Sequence, residues 1–151
     1  MHRAILNDDI FHIILQNVKT SPTDLRNVAL TCSTLSAPAL DMLWCEQSNL
    51  AHLIMCLPED TWEIGDYGTI NILREPLLAE WERVIMNASR IRSIVRNWSL
   101  VYDDVQKLRG PLLQRLFRLW PPTLLFPNLR ALHFDALSDV SSDFCLLRKF
   151  F

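Results

Sequence analysis

His52 and Cys56 stand four residues apart on one predicted helix, the spacing at which two side chains on one face can share a metal ion. A structural zinc takes four ligands, so two more are needed, and Cys45 or His133 are the candidates to supply them. No spacing in the chain requires either one. A small buried thiol beside a partly exposed imidazole is therefore the expected state, with no metal bound. Asp8 and Asp9 are adjacent, and adjacent helical positions point in different directions around the axis, so they form no acid–base pair. As acids at a helix start they complement its dipole. Serine, histidine and aspartate all occur, but without a Gly-x-Ser-x-Gly elbow or any other activated-nucleophile context. Gly65, Gly68 and Gly110 are the only glycines, which leaves no phosphate-cradling loop. These residues point away from an enzyme and away from a bound cofactor.

The 151 residues are 50% hydrophobic and 21% charged, enough for one ordinary domain or two small ones. The apolar fraction is slightly high, which favours a docking surface over disorder. The net charge of −2 hides a basic run: Arg90, Arg92, Arg96, Lys107, Arg109, Arg115 and Arg118 stand against Asp103 and Asp104. Such a run is more often the solvated face of helices than an anion site. A chain that is not basic overall is not expected to bind nucleic acid. Cys32, Cys45, Cys56 and Cys145 lack Cys-x-x-Cys spacing and sit among Leu, Ala and Met, as buried reduced thiols of a cytoplasmic or nuclear protein do. Asp8 and Asp9 interrupt the one early apolar run, so no signal peptide is expected. No stretch reaches the ~18 apolar residues of a membrane span, and no membrane partner is expected. Asn87-Ala-Ser89 and Asn97-Trp-Ser99 read as chance matches to the glycosylation sequon.

The elements that carry these residues begin with three helices. Asn7 is a good N-cap, and Asp8 and Asp9 fill the first turn. Ile10, Phe11, Ile14, Leu15 and Val18 follow at helical spacing, with Ile13 widening the stripe into an unusually broad apolar face. Ser21-Pro22-Thr23-Asp24 opens a second helix with a cap, a proline at the first position and an acid in the box position; its stripe is Leu25, Val28, Ala29 and Cys32. A third covers Ser33 to Cys45 with Leu40, Leu43 and Trp44 on one side, and Pro38 must lie near its first turn or kink it. Some 40 residues from Ala4 to Trp44 are too few to bury this much apolar surface against themselves, because chains below roughly 40 residues rarely fold alone.

Further on, Ser48 is expected to cap a fourth helix bearing Leu50, Leu53, Ile54 and Leu57, halted at Pro58. Pro58 to Gly68 reads as a connecting loop, and Thr69 to Arg74 as a short strand through Ile70 and Ile72. Pro76 starts a helix with Trp81, Val84, Ile85, Ala88 and Ile91 inside and Glu80, Glu82, Arg83 and Asn87 outside. Ser93 to Asn97 suggests a second strand. A helical run after Asp104 breaks at Gly110-Pro111, resumes from Leu112 to Trp120 and stops at Pro121-Pro122. Leu125 to Phe134 ends in a strand, and Ser142 to Phe151 starts another helix. Ile91-x-x-Ile94 and Leu129-x-x-Leu132-x-Phe134 have the look of inward residues on successive strands of a solenoid-like or small α/β arrangement.

In order and spacing, Ile10-x-x-Ile13-Ile14, Ser21-Pro22-Thr23-Asp24-Leu25, Val28-Ala29-Leu30-Thr31-Cys32 and Ala39-Leu40-Asp41-Met42-Leu43-Trp44 resemble an F-box of the divergent fungal type. Ile5-Leu6-Asn7 stands where the usual Leu-Pro opening would be. Leu57-Pro58-Glu59-Asp60-x-Trp62 and Leu125-Phe126-Pro127-Asn128-Leu129-Arg130-x-Leu132 look like the linker and first leucine-rich-repeat strand of the same proteins. The fold this implies is mainly α with a few short strands: a three-helix F-box over residues 4–46, then an incomplete α/β leucine-rich-repeat-like region over 47–151. The resemblance implies a substrate-recognition adaptor of an SCF-type cullin–RING ubiquitin ligase. Such a protein binds a Skp-type adaptor through its F-box helices and a target protein through its C-terminal region. The residues this assigns to the adaptor contact are Leu6, Ile10, Ile13, Ile14, Leu25, Val28, Leu30, Leu40, Leu43 and Trp44. A helical interaction scaffold outside any ligase is the alternative. The ending at Lys149-Phe150-Phe151, inside an apolar pattern, suggests a truncated substrate arm or a decoy that occupies the adaptor unproductively.

Overall fold

The computed structural model describes residues 7–48, 50–96, 118–119 and 125–134. Contacts divide the chain into two compact units, Met1–Glu46 and Gln47–Phe151. The described residues form a mixed architecture of five α-helices and a few short strands. None of these helices is long and apolar enough to cross a membrane.

The first unit is α1 (Asp8–Val18), α2 (Pro22–Thr31) and α3 (Ser33–Cys45). Helices α1 and α2 begin where side chains satisfy otherwise orphaned backbone donors. The Asn7 side-chain oxygen accepts the Asp9 and Ile10 N–H groups at 3.0 and 3.3 Å. Ser21 Oγ accepts Asp24 N–H at 3.3 Å, ahead of Pro22, whose missing donor costs nothing at that position. Cys32 is the single residue between α2 and α3. Its extended backbone (φ −161°, ψ 158°) turns the corner, and its carbonyl accepts the Leu35 and Ser36 N–H groups at 3.1 Å each. Pro38 lies beyond the first turn, inside α3, which continues to Cys45. Phe11, Leu15, Leu25, Leu35 and Ala39 form one buried cluster, with Val18, Val28, Ala29, Cys32, Met42 and Leu43 packed against it.

The second unit opens at Gln47, within the two-residue strand β1 (Glu46–Gln47). The expected fourth helix shrinks to α4 (Ala51–Ile54), and its N-cap is Leu50 rather than Ser48. A serine caps the residues directly after it, and Ser48 stands too far before Ala51 to do so. The segment read as a loop, Pro58 to Gly68, holds a 3-10 turn (Glu59–Thr61), strand β2 (Trp62–Ile64) and a second 3-10 turn (Asp66–Gly68). Strand β2 pairs antiparallel with β3 (Ile70–Ile72) in the register Trp62↔Ile72 and Ile64↔Ile70. Gly68 takes φ 67° in the connection, a left-handed conformation that costs glycine little. A Cβ on Gly65 would come within 2.6 Å of Asn71 Nδ2, the end of an exposed side chain that would have to swing aside.

Pro76 does not start a helix. A 3-10 turn spans Leu78–Trp81, and α5 follows from Glu82 to Ala88. The Glu80 carboxylate explains the delay, since Oε2 accepts Leu77 N–H at 2.7 Å while Glu80 N–H bonds Leu77 carbonyl at 2.9 Å. Helix α4 packs on α5, and Leu53, Ile54, Leu57, Ile70, Ile72, Trp81, Val84, Ala88, Ile91 and Ile94 are all buried. Strands β4 (Ser93–Arg96) and β5 (Ala131–Phe134) run parallel with Ile94 opposite Leu132 and Arg96 opposite Phe134. The sheet order is β1-β4-β5. Asn128 Nδ2 donates to Ser89 carbonyl at 2.7 Å and fixes the approach to β5. Most of the helical run 104–120, with its Gly110-Pro111 break, and the final helix over 142–151 lie outside the described residues.

Candidate docking site

The broad stripe of α1 resolves into two faces. Phe11, Leu15 and Val18 turn into the three-helix core. Ile10, Ile13 and Ile14, spaced i, i+3 and i+4, lie on the neighbouring face and remain 42%, 60% and 41% exposed. The core positions are filled without them. Beside this row Asn17 Nδ2 donates to Ile13 carbonyl at 2.8 Å, and the His12 and Gln16 side chains meet at 3.1 Å. Both contacts tie polar side chains back onto α1.

The other residues assigned to docking divide by burial. Leu30 is 72% exposed on the face of α2 away from Leu25. Val28, Leu40 and Leu43 are half-buried, and Val28 and Leu43 pack on the core cluster. Leu25 is not a surface residue: it is 2% exposed and sits inside the cluster with Phe11, Leu15, Leu35 and Ala39. Trp44 is likewise buried. The burial of Leu25 follows from the three-helix cluster, of which Trp44 is not a member. Counting apolar residues treats the helices as having no core of their own, yet α2 and α3 must supply the far side of the cluster that α1 enters. On α3 the buried members of the cluster are Leu35 and Ala39, whereas the spacing predicts a side made by Leu40, Leu43 and Trp44. Leu6 lies outside the described residues.

The metal half-site is used otherwise. Cys56 Sγ donates to the carbonyl of His52 at 3.4 Å and accepts Asn87 Nδ2 at 3.3 Å. Burial pushes this thiol up from its ordinary pKa, away from the thiolate a metal requires. Among the described residues no three His, Cys, Asp or Glu side chains come together as a metal-holding group. Cys32, Cys45 and Cys56 are not in disulfides, and they are half-buried rather than fully buried. The backbone N–H of Leu35 at the start of α3 draws the Cys32 thiol below its ordinary value. Asn87, the sequon asparagine, is the same side chain that bonds Cys56.

A charged cluster that no local pattern announced joins three turns of the second unit. Arg74 Nε and Nη2 donate to the two oxygens of Asp60 at 2.9 Å each, while Nη1 and Nη2 donate to those of Glu80 at 2.9 and 2.8 Å. The partners lie 14 and 6 residues away in sequence, beyond the reach of a helix-spacing rule. The Arg74 guanidinium, helped by Leu77 N–H, pulls the Glu80 carboxyl down to about 2. Glu80 and Asn87, both expected to face solvent, are therefore tied into the unit. The arrangement braces the fold, and with Nη1 also donating to the Glu75 carbonyl at 3.2 Å the guanidinium makes as many hydrogen bonds as it has N–H donors. No family model matches this chain, and no curated protein or solved structure matches it.

Proposed function

We propose that the chain is a non-catalytic adaptor. Its three-helix unit docks on a Skp-type adaptor protein and so joins a cullin–RING ubiquitin ligase, while residues 47–151 hold a protein target. The observation that carries the reading is the row of Ile10, Ile13 and Ile14, exposed on a helix whose core positions are already taken by Phe11, Leu15 and Val18. The order and spacing of the F-box-like residues support it. So does the second unit, where Ile94 and Leu132 occupy paired positions on adjacent parallel strands, as successive repeat strands would. The mechanism is proximity: the adaptor raises the effective concentration of a target lysine beside a conjugating enzyme, and the chemistry happens elsewhere.

Magnitudes limit what α1 does alone. Burying the exposed parts of its three isoleucines yields roughly 2–4 kcal/mol in total. Association costs about 4–15 kcal/mol. The interface must then extend to Leu30 and to the half-exposed Leu40 and Leu43. The test is a binding assay of the purified chain with a purified Skp-type adaptor, comparing wild type with the double variant Ile10→Asp, Ile13→Asp. Wild type is expected to bind and the variant to lose at least tenfold in affinity, with unchanged far-ultraviolet circular dichroism because both positions are exposed. Equal binding by a folded variant, or none by wild type, overturns the proposal.

A further inference from the structure

We draw no further inference here: the strongest candidate, the surface patch of exposed Leu73, Leu77 and Leu78 flanking the Arg74 ion cluster in the second unit, carries nothing because nothing in the structure shows what covers it.

Discussion

The three-helix unit and the unit that follows differ in what sets their elements in place. In the first, each helix contributes one stripe whose members stand three or four residues apart, and local caps from Asn7 and Ser21 set where the helices start. In the second, the joins are long: Asn128 to Ser89 spans 39 residues, Asn87 to Cys56 spans 31, and Arg74 reaches back 14 to Asp60. Helices with their own hydrogen bonds need only one face covered, so the first unit can leave a second apolar face on α1 open. Strands of two to four residues have unpaired backbone until a distant partner arrives, so the second unit must satisfy its joins before it holds any shape. The lesson is that the locally determined unit carries the spare surface, and the non-locally determined one carries the bracing.

If that contrast holds, the largest effects come from the two cores. Trp81 is 1% exposed, and Trp81→Ala should cost about 3–5 kcal/mol, read by urea denaturation with hydrogen exchange localising the loss to α4, α5 and the β2–β3 hairpin. Leu25→Ala should cost about 2–5 kcal/mol, with amide protection falling across α1, α2 and α3 alike. Protection lost in α2 alone would contradict a core shared by all three helices.

The bracing gives a smaller, pH-dependent effect. Glu80 has its carboxyl lowered from 4.5 to about 2 in the folded chain, so its contribution is fully present above pH 4.5 and drains away as pH falls toward 2. Glu80→Gln should lower the thermal midpoint at pH 7, by less than either core variant. The gap to wild type should close between pH 4.5 and pH 2, and a gap that persists at pH 2 would show that the ion pair is not its source.

The open face should show the least effect on stability. Ile13→Ser is expected to stay within about 0.5 kcal/mol of wild type, because the side chain is 60% exposed and outside the buried cluster. A loss of 2 kcal/mol or more would mean that the outer row of α1 is core after all. Thiol reactivity gives a last reading without any change in stability. In a time course of alkylation at pH 8, followed by peptide mapping, Cys32 should react before Cys56, since one thiol is lowered by the α3 amides and the other raised by burial. The reverse order would contradict the environment described for Cys56.

The sequence by itself determined where the three helices of the first unit run. Asn7, Ser21 and Pro22 mark helix starts because capping is a contact between neighbours, and Ile10 to Val18 mark a helix because its period is set by the backbone. It also placed strands within Thr69–Arg74 and Ser93–Asn97, where β-branched residues cluster, and the paired parts are Ile70–Ile72 and Ser93–Arg96. Only the tertiary structure decided which apolar residues are inside. Leu25 and Ile10 are both apolar residues at helical spacing, and what separates them is that Leu25 packs into the cluster with Leu35 and Ala39 of α3 while Ile10 stays 42% exposed. Tertiary pairing likewise made a strand of Trp62–Ile64 in a stretch with loop chemistry, and gave Arg74 two carboxylates that no spacing rule connects. Burial and pairing depend on what arrives from far along the chain, and that information does not reside in any local window.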